Sequence, residues 1–290
     1  MDRVRAFFRK FKEPYTIVFF IILTIYTALT IGMVCFAITT SFKDFYEFTD
    51  FPTDWPKKIS FDNYKYVWDN LYYTNPTTRE KIYVEGMLGN SLYYAIGCAT
   101  VQVIVCSATA YVTSQFDFKF SGVVYGIVIF CMAFPVVGSL PSEMKIVQAL
   151  NIDGSIPGMF ILKANFLGMY YMVFFSMFRS IPKSYAEAAK IDGASNATVM
   201  LRIYYPLCIN TLFTVWLLYF VTYWNDYQTL LLYCKEHPTI SFGLYLFKLH
   251  EEVPRILASS MLVFVPIFVV FLVFRKQLMG RLSMDGGEKG

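Results

Sequence analysis

The chain has 290 residues, of which 56% are hydrophobic, 19% aromatic and only 16% charged, and its formal net charge is +4. Charged residues normally make up about a quarter of a soluble protein. Their shortage here coincides with long apolar runs, which a soluble domain of this size could not bury. The composition therefore excludes a soluble protein and predicts an integral membrane protein.

Six segments are long and apolar enough to cross a bilayer. A helix needs about 20 mostly apolar residues to span roughly 30 Å of hydrocarbon, because each residue advances it by about 1.5 Å. The runs are apolar on every side, whereas a transmembrane β-strand alternates in polarity. The sequence predicts an all-α fold, a polytopic bundle with six transmembrane helices over residues 15–40, 91–113, 121–140, 158–178, 207–224 and 256–274.

Lys and Arg are distributed unevenly among the connections between these helices. If the N-terminus lies inside, the cytoplasmic segments contain 14 of the 25 Lys and Arg residues and are net positive, while the rest of the chain is net negative. The positive-inside rule then predicts that both termini are cytoplasmic, N-in and C-in. We expect a cytoplasmic N-terminal arm over residues 1–14, a transmembrane domain over 15–278 and a cytoplasmic C-terminal tail over 279–290.

A long outer loop, residues 41–90, separates the first two predicted helices and contains the stretch FPTDWPKKISFDNYKYVWDN. The loop is too polar to be buried in lipid. Its Trp and Tyr side chains are typical of a membrane–water interface, but a loop of this size also suits contact with an external partner. The sequence leaves both interpretations open.

A polar segment, residues 179–206, lies between the fourth and fifth predicted helices on the cytoplasmic side. Ser184 and Glu187 have the spacing of a capping box at a helix start. Gly193 can adopt the left-handed conformation that ends a helix, and the stretch Ala194-Ser195-Asn196 can cap a second one. The segment is predicted to form a helix-turn-helix with a small-residue face for docking, although an ordinary surface connection has the same pattern.

Specific residues of this segment resemble the EAA motif of permease subunits in bacterial ATP-binding-cassette (ABC) importers. The resemblance rests on the spacing of Glu187, Ala188, Ala189, Gly193, Ile203 and Pro206. One position departs, because Tyr205 stands where a leucine usually precedes the proline. Other matches follow in chain order and resemble the maltose-type branch of carbohydrate permeases, among them Asn90-Ser91, Ile191-Asp192-Gly193-Ala194 and Trp224-Asn225-Asp226.

The resemblance implies a permease subunit that is not itself an enzyme. The helix that carries Glu187 is expected to seat in a cleft of a separate ATPase subunit, with Asp192 as a second charge on the same element. Hydrolysis there would switch the spans between inward-open and outward-open states. The expected partners are a second permease subunit in a heterodimer, two ATPase copies and an extracytoplasmic solute-binding protein, in a bacterial cytoplasmic membrane and without nucleic acid.

No cofactor or metal is expected in this chain. A phosphate-binding loop needs a glycine-rich stretch that ends in Gly-Lys-Ser or Gly-Lys-Thr, and the sequence lacks one. ATP and magnesium would therefore bind to the partner ATPase. His237 and His250 are far apart and have no third ligand, so they predict no metal site. An ion-coupled transporter or a membrane enzyme would need acidic or clustered ligand groups within the spans, which the sequence does not provide.

Two polar positions within the fourth predicted helix, Lys163 and Asn165, are candidates for the translocation path, because polar groups at membrane depth usually face a cavity. Lys163 lies near the helix start, so it also suits an extended side chain that reaches the outer interface. The resemblance suggests a structural or gating role for Trp224, Asn225 and Asp226 at the outer end of span five, with Asp226 also suited to docking the solute-binding protein. An interfacial Trp with a polar cap is the alternative.

Overall fold

The computed structural model describes residues 14–116, 118–134, 138 and 140–279. The predicted arm and tail therefore lie outside the described residues, except for Pro14 and Met279. The helices are α1 (Pro14–Ser41), α2 (Phe45–Asp50), α3 (Asp62–Asn70), α4 (Val84–Gln115), α5 (Ser121–Ala133), α6 (Leu140–Ala149), α7 (Ile156–Leu162), α8 (Met169–Arg179), α9 (Ser184–Ile191), α10 (Asn196–Val199), a π-helix (Met200–Tyr204), α11 (Tyr205–Leu207), α12 (Ile209–Trp224), α13 (Gln228–Tyr233), α14 (Ile240–Phe247) and α15 (Val253–Met279).

The all-α prediction missed one small β-hairpin in the outer loop. Strands β1 (Tyr72–Thr74) and β2 (Lys81–Tyr83) pair antiparallel, with Tyr72 opposite Tyr83. Each strand has three residues, which is too short for an alternating pattern to show in the sequence.

The chain divides into two compact units. One contains residues up to 70 together with 247–262, and the other contains residues 71–246 together with those from 263 onward. Helix α15 therefore contributes its first part to the first unit and its remainder to the second.

Helix α1, in the first unit, is apolar throughout and has no buried surface in its central window. Its hydroxyls are satisfied within the helix, since Thr24, Thr27 and Thr30 donate to carbonyls four residues earlier at 2.7, 2.7 and 2.9 Å. Hydroxyls bonded in this way need no water, as a helix in hydrocarbon requires. These features agree with the predicted first span.

Helix α3 connects the two ends of the first unit. The Asn63 side-chain amide donates to the carbonyl oxygens of Ser41 and Lys43 at 3.0 and 2.7 Å. The Tyr66 hydroxyl donates to the Glu251 carboxylate at 3.1 Å. Burial, and then the hydrogen bond to Glu251, raise the pKa of Tyr66, so this hydroxyl keeps its proton. Helix α3 thus ties the end of α1 to the segment that leads into α15.

The second unit is organised around α4, which packs against α7, α8 and α12. Half of its central apolar window is buried. Gly97 marks its closest approach to α7, because a Cβ atom at this position would overlap the Phe160 ring. Since α7 ends at Leu162, this contact also positions the polar residues that follow.

Three of the predicted spans are confirmed as helices long and apolar enough to cross a membrane: Tyr15–Ser41, Val84–Gln115 and Val253–Arg275. The prediction of one continuous helix over residues 158–178 is wrong. Helix α7 ends at Leu162 and α8 begins at Met169, next to Gly168 with φ of +142°. A glycine conformation of this kind and the polar residues before it interrupt the helical ladder.

The predicted third and fifth spans also differ from the structure. Helix α5 has 13 residues, and part of the region after it lies outside the described residues. Helix α12 begins at Ile209, two residues later than expected, because residues 196–207 and 209–224 are bent by 82° relative to each other.

We expect Gly97→Ala to destabilise the protein, because overpacking of a well-packed contact typically costs about 1–3 kcal/mol. The matched variant is Gly89→Ala in the same helix, where a Cβ atom would meet nothing within 4 Å. That change should be neutral or stabilising, since alanine favours a helix over glycine by about 1 kcal/mol. Thermal unfolding of the detergent-purified protein compares them, and equal melting temperatures for both variants would contradict the predicted contact.

Candidate coupling segment and buried polar cluster

The segment predicted as a helix-turn-helix forms two consecutive short helices. Helix α9 ends at Ile191, Gly193 follows the C-cap residue Asp192 with φ of +82°, and the Ala194 amide donates to the Ala189 carbonyl at 2.9 Å to close the turn. The Ser195 hydroxyl then accepts from the Thr198 amide at 3.2 Å and caps α10. The predicted glycine stop and the predicted cap within residues 194–196, which falls on Ser195, are therefore confirmed.

The predicted capping box of Ser184 and Glu187 is wrong. Helix α9 begins at Ser184 itself, and Lys183 precedes it with helical backbone angles and no side-chain cap. The reason is that the turn starts earlier, since the Glu187 amide already donates to the Lys183 carbonyl at 3.0 Å. Ser184 is consequently a residue of the first turn and not the cap.

Helix α9 has two different faces. Ala186 and Ala189, three residues apart, pack against the buried core of the second unit, so Ala189 of the predicted docking motif contacts its own chain. The opposite face is exposed to solvent, and Ile191 is 88% exposed although it is apolar. The exposed predicted residues are Glu187, Ala188, Asp192 and Gly193.

Two tyrosines fasten the segment to α4. The Tyr204 hydroxyl donates to Gln115 Oε1 at 2.8 Å, and Gln115 Nε2 donates to the Phe178 carbonyl at 2.7 Å. The hydroxyls of Tyr205 and Ser107 lie 2.8 Å apart. The Tyr205 ring also stacks on Phe178, with 6.2 Å between centroids. Tyr205, the one departure from the motif, thus gains a hydrogen bond that leucine could not make.

The remaining two motif positions lie at the bend that leads into α12. Ile203 is partly buried against the core, within the π-helix. Pro206 follows in the first turn of α11, and its missing N–H leaves the regular helical ladder incomplete. The 82° bend comes directly after it, at Cys208. The segment that carries α9 is therefore joined to α12 at a sharp bend.

A polar cluster lies between the break after α7 and the end of α12. The Lys163 amine is 3.4 Å from Asp226 Oδ2 and donates to the Thr229 hydroxyl at 2.8 Å. Asp226 Oδ2 also accepts from the hydroxyls of Tyr94 and Thr229, at 2.8 and 2.6 Å. The Lys163 and Asp226 side chains are only 22% and 16% exposed. This ion pair is therefore largely removed from solvent and fully embedded in hydrogen bonds.

A second set of polar contacts lies beside it. Gln102 accepts a hydrogen bond from the Tyr223 hydroxyl, and its amide nitrogen is 3.5 Å from Asn165 Oδ1. Gln102 and Tyr223 are buried, whereas Asn165 is exposed. Asn165 is thus the member of the cluster that is open to the surroundings of this chain.

The structure brings together Lys163 and Asp226, which the sequence placed in two separate sites. The Lys163 amine turns to Asp226 and Thr229, and its place relative to the outer interface stays a prediction. The sequence reasoning missed Tyr94, Gln102 and Thr229. Gln102 alone carried a signal, as an amide inside an apolar run of α4.

Trp224 does not have the exposed ring that an interfacial Trp would have, so that alternative is wrong. The residue is 2% exposed, and its indole N–H donates to the Val263 carbonyl at 3.1 Å. Its own carbonyl accepts from the Ser241 hydroxyl at 2.5 Å. Asn225 is exposed and donates to the Val221 carbonyl at 2.8 Å, at the end of α12. Trp224 therefore joins α12 to α15 within the second unit.

The geometry defines a membrane protein with long apolar helices and a short helix, α9, that has one exposed face. Among the described residues, no three His, Cys, Asp or Glu side chains are grouped so that they could hold a metal ion. Residues 103–283 match the family described as "Binding-protein-dependent transport system inner membrane component". This match covers more than half of the chain, which therefore belongs to that family of transporter permease subunits and not to an enzyme family.

Several curated proteins resemble the chain over most of its length. A trehalose/maltose transport system permease protein of Thermococcus litoralis is 27% identical over 233 residues, which are 78% of this chain and 83% of the relative. A melibiose/raffinose/stachyose import permease protein of Bacillus subtilis is 25% identical over 249 residues, or 83% and 86%. A sulfoquinovosyl glycerol transport system permease protein of Agrobacterium fabrum is 27% identical over 210 residues, or 70% and 73%.

The fold matches a solved chain described as a bacterial ABC transporter involved in the import of the acidic polysaccharide alginate. The TM-score is 0.72 at 20% identity, and the match covers 90% of this chain and 95% of that chain. The chain therefore has the fold of an ABC importer permease.

We expect the destabilisations caused by Lys163→Met and by Asp226→Asn to sum to more than the destabilisation of the double variant. Each single change removes one partner and leaves the other group buried without it, whereas the double variant removes both. For a largely buried pair the coupling energy should be about 2 kcal/mol. Unfolding of the purified protein by sodium dodecyl sulfate gives the three energies.

The control cycle uses Arg255→Met and Glu252→Gln, an ion pair at 3.8 Å with side chains 31% and 38% exposed. Exposed pairs of this kind contribute about 0–1 kcal/mol. A coupling energy at Lys163 and Asp226 no larger than in this control would show that their contact is not a stabilising ion pair.

Proposed function

We propose that this chain forms half of the translocation path of an ABC importer for sugars or oligosaccharides. The proposal is supported by the family match and by the names of the relatives, which are described as permeases for trehalose and maltose, for melibiose, raffinose and stachyose, and for sulfoquinovosyl glycerol. The partners would be a second, different permease subunit, two ATPase subunits and an extracytoplasmic solute-binding protein, in a bacterial cytoplasmic membrane.

The coupling element of the proposal is the exposed face of α9, and this is the observation that carries it. An apolar side chain as exposed as Ile191 beside the charges of Glu187 and Asp192 is typical of a surface that a partner covers. Glu187 would meet a basic residue in a cleft of the ATPase. Gly193 keeps the end of the helix narrow, and Ala188 allows close approach.

The bonds on the opposite side of the segment make this docking face useful for transport. Tyr204 and Tyr205 fasten it to α4, and the corner at Cys208 connects it to α12. When the ATPase moves α9, both helices would move with it as a rigid body. Nucleotide binding and hydrolysis would thus bias the bundle between inward-open and outward-open states.

The chain would supply no nucleotide site of its own, so ATP and magnesium would be held by the partner ATPase. On the transport side, Asn165 is proposed to face the path, with Gln102 behind it. Lys163 would hold the interrupted fourth segment to Asp226. Trp224 and Asn225 would fix the outer end of α12.

The proposed topology has six membrane passages within residues 15–278, with both termini inside. Helices α1, α4 and α15 would each form one passage. The interrupted segments around α5, α7–α8 and the bent α12 would form the other three, packed within the bundle, where broken helices are tolerated because the neighbouring protein satisfies their backbone.

We expect Glu187→Lys to abolish sugar-stimulated ATPase activity of the assembled transporter, because the reversed charge would repel a basic partner. Gly193→Val should do the same, since a β-branched residue does not tolerate the left-handed conformation. Membrane insertion should survive in both variants, because neither position is buried. The measurements are ATPase activity in proteoliposomes with binding protein and sugar, and the amount of chain in the membrane fraction.

Glu80→Lys, an equal charge reversal at an exposed residue of the hairpin turn, is the control and should leave ATPase activity unchanged. A disulfide or bifunctional cross-link from Ile191→Cys to the ATPase is a second readout. Normal coupled turnover in both coupling variants, or cross-links that never reach the ATPase, would reject the docking assignment.

The topology predicts opposite labelling of two exposed polar positions. In intact cells, Thr78→Cys should react with a membrane-impermeant thiol reagent from outside. Asp192→Cys should react only after the membrane is opened, because α9 would face the cytoplasm. Labelling of position 192 in intact cells, with position 78 protected, would reverse the proposed orientation.

A further inference from the structure

The outer loop begins with a folded segment that closes over the end of α1. We call residues 42–64 the α1 cap. The hydroxyls of Ser41 and Tyr64 lie 2.7 Å apart, and the rings of Phe42 and Phe61 meet edge to face at 5.3 Å. The Asn63 bonds described above hold the carbonyls of Ser41, the last residue of the helix, and of Lys43. Hydrogen bonds and ring contacts therefore hold the cap against the end of α1.

A buried lysine fixes the shape of the cap. Lys43 is 1% exposed, and its amine donates to the carbonyls of Phe51 and Pro52 at 2.9 and 3.0 Å. The Lys57 amide donates to the Glu47 carboxylate at 2.6 Å, and the Lys57 amine lies 4.4 Å from the centre of the Phe51 ring. These contacts close the chain between α2 and α3 into one defined structure.

The cap nevertheless leaves large apolar side chains in the open. Tyr46, Trp55, Ile59 and Phe61 are 75%, 79%, 65% and 66% exposed. All four are apolar or aromatic. A soluble surface normally scatters such residues singly, so four within a span of 16 positions indicate a surface that is not meant for bulk water.

The position of the cap indicates which surroundings it meets. Helix α1 has 28 residues, about 42 Å at 1.5 Å per residue, which exceeds the roughly 30 Å of hydrocarbon in a bilayer. Its last turn must then already lie near the headgroups. The cap folds directly onto that turn, so its aromatic residues are at the depth where Trp and Tyr are enriched in membrane proteins.

The charges of the cap favour contact with zwitterionic or neutral lipids and not with anionic lipids. Its acidic residues outnumber its lysines, and three of them are held in local bonds. Asp44 caps α2, Glu47 binds Lys57 as described, and Asp62 accepts from the Ser60 hydroxyl at 2.6 Å. An acidic surface is not drawn to anionic lipids, so insertion would be driven by the apolar rings.

We propose that the α1 cap lies in the membrane–water interface and that Tyr46, Trp55, Ile59 and Phe61 insert among the headgroups of phospholipids. The inference requires that α1 spans the membrane but does not depend on the transported solute or on the coupling role of α9. It decides between the two interpretations that the sequence left open for this loop. The cap would set the depth of α1, whose central surface has no packing partner within the part of the chain that the structure describes.

Nitroxide accessibility in the assembled transporter tests this proposal. The label is placed at Asp54→Cys, beside Trp55, after Cys35 and Cys131 are replaced by serine and with cysteine-free partner subunits. In nanodiscs of phosphatidylcholine, the ratio of collisions with oxygen to collisions with a water-soluble nickel chelate should be several-fold higher at position 54 than at Thr78→Cys on the hairpin turn. The ratio should not change when phosphatidylglycerol is added.

Two further variants show whether the rings cause this position. In the Asp54→Cys background, Trp55→Glu should lower the ratio several-fold, whereas Trp55→Tyr should preserve it, because tyrosine is also stable at the interface. Trp55 is mostly exposed, so neither change disturbs packing, and ATP-driven transport serves as the check on folding. A label at position 54 as accessible to nickel as at position 78, or one protected only when the solute-binding protein is added, would overturn the proposal and assign the cap to water or to that protein.

Discussion

Hydrocarbon offers no hydrogen bonds, so each polar group that enters a bilayer must find its partner within the protein. The contacts of this chain follow from that constraint. The threonines of α1 bond to their own backbone, Gln102 is held between Tyr223 and Asn165, and the Lys163 amine meets Asp226. The helices around α4 are therefore joined at a few polar points, while apolar packing fills the space between them. Because such points are few and buried, each one fixes a relation between two helices.

The same constraint explains how an interrupted segment remains stable. The break between α7 and α8 frees backbone groups and places Lys163 and Asn165 at a turn. The Lys163 charge would be unfavourable there if it were alone, but Asp226 and Thr229 compensate for it, and Tyr94 completes the shell of the carboxylate. The break is thus held in place by residues from α4 and from the end of α12. A change in the angle of α12 would act directly on the turn that carries Asn165.

The sequence predicted the long helices well because their signal is local. Helices α1, α4 and α15 are continuous apolar runs, and length alone identifies them. The short helices after Ser184 were also recognisable, because a glycine stop and a serine cap are local features. The break at Gly168 was not, since apolar residues continue on both sides of it, and one glycine after two polar residues does not by itself mark where a helix ends. The pairing of Lys163 with Asp226 was equally hidden, because the two residues are distant in sequence and meet only through folding.

The face of α9 shows how a motif can combine two tasks. Helical periodicity places Ala186 and Ala189 against the chain's own core and leaves Glu187, Ala188 and Ile191 outside. A pattern of small residues alone does not show which alanines face the chain's own core and which face outward, so the sequence could not distinguish Ala188 from Ala186 and Ala189. Tyr205 shows the complementary case, in which a departure from the usual residue strengthens the attachment through its bond to Ser107. Residues that attach the segment to α4 can therefore vary as long as they keep it rigid, whereas under the proposed function the outward residues would have to match the shape and charge of the ATPase. This separation would allow one helix to be firmly held on one side and specific for a partner on the other, as a mechanical link between two subunits requires.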